Sequence, residues 1–256
     1  MSDALDFTAC AALVDRGDPV RFRAAMAAPV SARQVLFPLY AFNLEVARAP
    51  WVTAEPMIAR MRLQWWRDAL AEIAEGGVIR RHEVVTPLAL AIRAEDVPVL
   101  ERLIDARDRD VEGAAFEDVS ALWAYLEATA GGLIAVAARR LGGGEALAPA
   151  AGRALGIASW MMAAPALRAA GRPVLPAGAD WSELPAAGLA DWRDVRRGLR
   201  DVPGAARAAF YPLAGFGAVL ARATRDPELV EADGLEPGPF AMRMRLALTA
   251  ATGRLF

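Results

Sequence analysis

Along this chain apolar side chains recur at intervals of three and four, and Val and Ile never alternate with polar residues over the length of a strand. That periodicity confines the chain to helices packed on helices. Composition agrees. Hydrophobic residues make up 55% of the 256, and the excess is largely alanine, the best intrinsic helix former. No repeat, low-complexity stretch or linker divides the sequence, so the expectation is an all-α fold in a single domain over residues 1–256.

Prolines and glycines mark the breaks. Residues 4–28 read as a helical opening with a turn at Asp15 to Asp18 and Pro19. A helix capped near Ser31 runs towards Ala49, and Pro50 and Pro56 separate it from a helix over residues 54–75, which Gly76-Gly77 ends. Two short helices follow at 85–94 and 96–108, divided near Pro98. Residues 120–141 form a long helix with Gly131 and Gly132 at its middle, where a kink or a close neighbour fits. A membrane span needs ~20 predominantly apolar residues, and Glu127 interrupts this stretch, so a buried bundle helix fits better. Residues 147–170 are helical, with Pro165 expected to end or kink them. An apolar run at 205–220 and a last helix at 239–255 complete the chain.

A net charge of −2 supplies no field to recruit nucleic acid. One cysteine, Cys10, and one histidine, His82, exclude an intramolecular disulfide, a thiolate metal site and a His-His metal cluster. His82 reads as a solvated residue of the connector Arg80-Arg81-His82-Glu83. The start, MSDALDF, has no apolar h-region and reads as cytoplasmic.

On the 54–75 helix, Arg60, Gln64, Arg67 and Ala71 form a polar stripe, the expected solvent face. Ile58, Met61, Trp65, Ala69 and Ile73 form the opposite arc, expected to be buried. Arg62 falls within that arc, and Asp68 and Glu72 lie on its flank. A buried charge requires a partner, and Glu45 and Arg48 on the preceding helix are the nearest. An ion pair at a helix seam and a ligand site both satisfy this pattern. Asp105, Asp108 and Asp110 alternate with Arg107 and Arg109, which satisfy them more readily than a bound cation does. Trp181 and Trp192 are the expected exposed aromatic residues of a contact surface.

Several blocks, in order and spacing, resemble the squalene/phytoene synthase family. They are Tyr40-Ala41-Phe42, Arg62 to Leu70, Leu103 to Val111, Tyr125 through Ala130-Gly131, Leu155-Gly156, and Gly171-Arg172 through Leu175-Pro176. The resemblance spans about residues 8–256 and implies an isoprenoid-synthase-type helical bundle. Enzymes of the family condense isoprenyl diphosphates head to head. They carry D-x-x-x-D motifs on two facing helices, where residues four apart share a face and hold Mg²⁺ on the leaving diphosphate. In this chain those positions fall at Ala47 and Trp51 and within Ala163 to Gly171, with no acid among them.

The same losses, together with the Met61 to Asp68 run and the stretch from Gly156-Ile157 through Pro165 to Leu175-Pro176, resemble one branch of the family. That branch holds the mitochondrial respiratory complex I assembly factor and its bacterial relatives. It implies a non-catalytic protein with no metal and no cofactor, partnered by a respiratory complex subunit and peripheral at the inner membrane. Two alternatives stay open. One is a prenyltransferase that grips phosphate through arginines; the other is a carrier of an isoprenoid or lipid, its cavity lined by Trp65, Trp160, Met161 and Met162. The cavity or anion-binding candidates are Tyr40, Glu45, Arg48, Arg62, Trp65, Asp68 and Arg172.

Overall fold

The computed structural model describes residues 7–256, and every regular element among them is helical. The expected helical start at residue 4 lies outside the described residues. Helices α1 (Thr8–Gly17) and α2 (Pro19–Ala27) meet at Asp18, whose side chain accepts a hydrogen bond from the Arg21 backbone N–H at 2.9 Å and caps α2. Pro19 sits in the first turn, where its missing N–H is no loss. Helix α3 (Val30–Arg48) begins after Pro29; Ser31 lies inside it and caps nothing. Helix α4 (Pro56–Glu75) ends at Gly76, whose φ of 67° is the left-handed conformation that glycine adopts at little cost.

Helix α5 (Val85–Ala91) and α6 (Val97–Glu112) are divided by the 3₁₀ turn Ala94–Asp96. Pro98 is therefore not the break but part of the first turn of α6, where proline is tolerated. Helix α7 (Val119–Leu126) continues through a π-turn, Glu127–Gly131, into α8 (Gly132–Arg140). Helix α9 (Ala148–Ala169) runs through Pro165 and on for another turn, so the proline removes one backbone donor without ending the helix. The rest comprises α10 (Leu184–Gly198), a 3₁₀ segment Ala206–Leu213, α11 (Phe216–Arg225), α12 (Glu228–Glu231) and α13 (Pro239–Thr252).

The core is continuous. Phe37, Phe42, Phe210 and Phe216 are fully buried, each contributing about 1.5–3 kcal/mol of apolar burial. Helix α9 is the central strut, packed on α10 and on the π-turn. At that second crossing a Cβ on Gly152 would lie 2.4 Å from both N and Cα of Gly131. The two backbones touch, which only glycine allows, so the paired glycines do hold a close helix approach. By length and composition Val119–Arg140 could cross a membrane, yet 67% of its most apolar window is buried inside the bundle.

Helix α4 is turned by just under a quarter turn from the orientation its sequence suggests. Its buried residues are Ala59, Leu63, Trp66, Ala69, Leu70 and Ile73. Ile58 and Met61 are exposed, Met61 to 65%, and Arg62 faces solvent rather than the core. The cause is tertiary. Helix α4 packs on α6, and the stripe assigned to solvent reaches across to it: Arg67 pairs with Asp105 at 2.8 Å and Arg60 with Glu112 at 2.6 Å. His82 is also not free in solvent. It is half-buried against Trp65, with ring centroids 5.0 Å apart, and its Nδ1 accepts from the Val84 N–H. Trp181 and Trp192 are buried, at 4% and 6% exposure, so neither is a surface aromatic.

Candidate functional site

Helix α6 has two charged faces with different fates. Asp105, Asp108 and Glu112 share the side that meets α4 and are paired by Arg67 and Arg60. Arg107 and Asp110, three apart, point the other way. They form the polar end of an internal cavity of about 260 Å³. Tyr125 of α7 completes a triad there: its hydroxyl donates to Asp110 Oδ2 at 2.7 Å and accepts from Arg107 Nη1. Thr129, in the π-turn, donates to the Tyr125 carbonyl at 2.7 Å and braces that turn.

Burial is the main influence on Tyr125 and raises its pKa well above the ordinary phenol value, so the ring stays neutral and can donate. For Arg107 burial acts against the charge, but Tyr125 and Asp110 outweigh it and the guanidinium stays protonated. Its Nε is buried with no hydrogen-bond partner among the described residues.

Aromatic rings form the wall. Phe116, Tyr125 and Trp160 pack edge to face with centroids 5.3–5.9 Å apart. Trp160 Nε1 donates to the Val174 carbonyl at 2.7 Å, and Arg109 lies 3.7 Å over Phe116. At the mouth, Arg172 stacks 4.4 Å over Trp51 and donates to the Asp110 carbonyl. Leu155, Ala163 and Leu167 of α9 supply the facing side, and Arg21 of α2 also reaches the lining.

Trp51 and Ala163, from the two stretches where the family resemblance places metal-binding acids, thus line one cavity. The donor set there does not suit a magnesium clamp. Asp110 is the sole carboxylate in the lining, and Arg107 and Tyr125 already engage it. Among the described residues no group of three or more His, Cys, Asp or Glu is placed to hold a metal ion.

The sequence candidates separate. Arg172 alone of them lines the cavity. Glu45, Arg62 and Trp65 border a shallow outer groove with Ile58, Met61, Trp66 and His82. Arg48 is exposed and pairs with Glu45 at 3.3 Å, so Glu45 is taken up within its own helix rather than by Arg62. Asp68 accepts from Gln64 Nε2 at 2.8 Å on the surface. Tyr40 is buried in α3, its hydroxyl without a hydrogen-bond partner among the described residues and Arg21 lying 5.9 Å from its ring. Met161 is core rather than lining, whereas Trp160 does line the cavity. The pairing of Arg107 with Asp110 was expected, but their grouping with Tyr125 as a site was not, because it joins α6 to α7. The local signals were the i,i+3 spacing of Arg107 and Asp110, on the face opposite Asp105 and Asp108, and the place of all three residues in the family-resembling blocks.

Beside the cavity mouth the surface is apolar. Trp51, Val52, Met57, Ile58 and Met61 are all exposed on the α3–α4 connection and the first turns of α4.

The fold and this cavity can be set beside known proteins. Solved structures with the same fold include squalene synthase HpnC from Alicyclobacillus acidocaldarius, with a TM-score of 0.72 at 20% identity over 86% of this chain and 93% of that one. A dehydrosqualene synthase in complex with ligand matches with a TM-score of 0.71 at 13% identity, over 97% and 96%. The NADH dehydrogenase (ubiquinone) complex I, assembly factor 6 homolog of Drosophila melanogaster is 31% identical over 132 residues, 49% of this chain and 39% of that protein. Complex I assembly factor 6 of Bos taurus is 27% identical over 162 residues, 61% and 48%. The chain spans less than half the length of these curated relatives. The squalene/phytoene synthase family model matches residues 14–210. On that match, most of its length, the chain belongs to the squalene/phytoene synthase family.

Proposed function

We propose that this protein assists assembly of a membrane-bound NADH dehydrogenase and does not transfer prenyl groups. The observation that carries the reading is the cavity lining: Trp51, Ala163 and Leu167 stand where a diphosphate-ionising site needs carboxylates to hold magnesium. Ionising an allylic diphosphate demands charge stabilisation that grows as the leaving group departs. The arginines at this cavity are committed to Asp18, Asp110, backbone carbonyls and aromatic faces. Size points the same way. At about 260 Å³ the cavity falls below the ~300–1,000 Å³ of drug-sized pockets, whereas a head-to-head condensation must hold two prenyl chains at once.

The assembly-factor relatives supply the class of partner, a subunit of the respiratory complex. The exposed Trp51, Val52, Met57, Ile58 and Met61 supply a surface of the kind such contacts use. In this reading the protein works in the cytoplasm, at the inner membrane.

Deleting the gene tests it. NADH oxidation by isolated membranes should fall while succinate oxidation holds, and the wild-type gene should restore it. Unchanged NADH oxidation sinks the assembly role. Separately, the purified protein with farnesyl diphosphate and Mg²⁺ should release no pyrophosphate; steady release that Arg107→Ala abolishes would restore the transferase reading. A carrier reading draws on one observation, the buried Nε of Arg107, which lacks a partner among the described residues, beside an aromatic wall. A single small anionic amphiphile fits that combination, and native mass spectrometry of the purified protein would show it.

A further inference from the structure

Although the chain is slightly acidic overall, one region of its surface is strongly basic. Helices α10, α11 and α13 meet around an open groove bordered by Arg193, Arg196, Arg245, Trp192, Leu248 and Phe256. Arg222 and Arg225 each lie four residues beyond the groove residues Ala218 and Ala221 and continue that face of α11. Arg243 is exposed on α13. None of these six arginines forms an ion pair with the described residues, and the two acids of α10, Asp191 and Asp194, are taken by Arg153 and Arg197. From Pro239 to Phe256 there is no acidic side chain, and none lies between Asp201 and Asp226.

The same region is apolar where it should be polar. Phe240, Met244 and Leu248, spaced by four, form an outward stripe on α13, with Phe240 75% exposed. The helix is lightly anchored, and Thr249 is its one fully buried residue.

We infer that the α10–α11–α13 face docks on an anionic lipid bilayer. Six unpaired guanidinium groups call for a negatively charged partner, and an apolar stripe among them calls for one with hydrocarbon beneath the charge. A membrane–water interface offers both to the outer side of a helix. A second copy of this chain would bring like charges together across a twofold contact. A nucleic acid would satisfy the arginines and leave the stripe in water. The inference does not depend on the assembly role, since it rests on this face alone.

Vesicle flotation with the full-length protein tests it, comparing phosphatidylcholine alone with phosphatidylcholine mixed with phosphatidylglycerol. The protein should float with the mixed vesicles, not with phosphatidylcholine alone, and rising salt should release it. Each arginine lost should weaken binding about fivefold, the equivalent of ~1 kcal/mol per charge at an anionic surface, so R193Q/R196Q should lose about 25-fold. F240S/M244S should also bind more weakly, and both variants should melt like the parent because the changed side chains are exposed. M57S/M61S, on the α4 patch, should bind normally. Failure to float with anionic vesicles overturns the proposal. So does binding that needs the arginines but ignores F240S/M244S, which would indicate a soluble polyanion or acidic protein instead. Loss on M57S/M61S alone would assign the contact to the wrong face.

Discussion

Replacing Gly152 with alanine sets two effects of opposite sign against each other. Glycine inside a helix costs about 1 kcal/mol relative to alanine, so by propensity alone the substitution stabilises α9. The crossing predicts the reverse. The new Cβ would sit 2.4 Å from N and Cα of Gly131 and 3.2 Å from the Leu126 carbonyl oxygen, while ordinary contact begins at 3.4 Å. The obstructing atoms are backbone, so no rotamer change relieves them, and α9 must move away from the π-turn by roughly 1 Å. Overpacking of this kind costs about 1–3 kcal/mol and more when backbone must shift. Net destabilisation of about 1–2 kcal/mol should lower Tm by about 2–8 °C for a chain of this size. The movement also separates Leu155 from Tyr125 and Thr129 across the cavity. Thermal unfolding followed by circular dichroism measures it. Gly77→Ala is the control: its new Cβ would meet no atom within 4 Å, it follows the end of α4, and it should stay within ~0.5 kcal/mol of the parent. A Gly152→Ala protein that melts at or above the parent would refute the close-approach argument.

Two further outcomes concern charge. Asp96 is fully buried, pairs with Arg139 at 3.1 Å and Arg140 at 3.2 Å, and accepts from the Arg93 N–H. Asp96→Ala leaves the partly exposed Arg139 without its carboxylate while Arg140 keeps Glu95, and losing these charged hydrogen bonds should cost about 1.5–3 kcal/mol, measured by urea denaturation. At Asp18, burial disfavours the carboxylate, but the charge and hydrogen bonds of Arg21 outweigh it and hold the pKa below its ordinary 3.8. Since the folded value is the lower one, this contribution is present above about pH 4 and is lost as pH falls through the folded pKa. Asp18→Asn should therefore flatten the acid limb of the stability profile and lower stability at neutral pH.

The helical breaks were largely legible because each rests on local chemistry: Pro19, Pro56 and Gly76 act on their own φ angles and hydrogen bonds. Pro98 misled, since proline in a first turn permits helix as well as breaks it, and Pro165 does not end α9. The face that α4 buries was not legible. Its apolar residues exceed one stripe, so Ile58, Met61 and Trp65 compete with Leu63, Trp66 and Leu70, and contact with α6 decides between them. Trp181 and Trp192 looked available for contact until the fold covered them, while Trp51, beside the missing acids, is half-exposed at the cavity mouth.

By itself the sequence determined the all-helical architecture, the family, and the lack of acids at the two places where the family binds metal, because periodicity and residue identity are properties of short stretches. Tertiary structure decided which charges meet. Arg107, Asp110 and Tyr125 form one buried triad, Asp105 and Asp108 are turned away to α4, and six arginines on the α10–α11–α13 face form no ion pair among the described residues. Pairing depends on distance in space, and residues many positions apart in the chain become neighbours only when the helices pack.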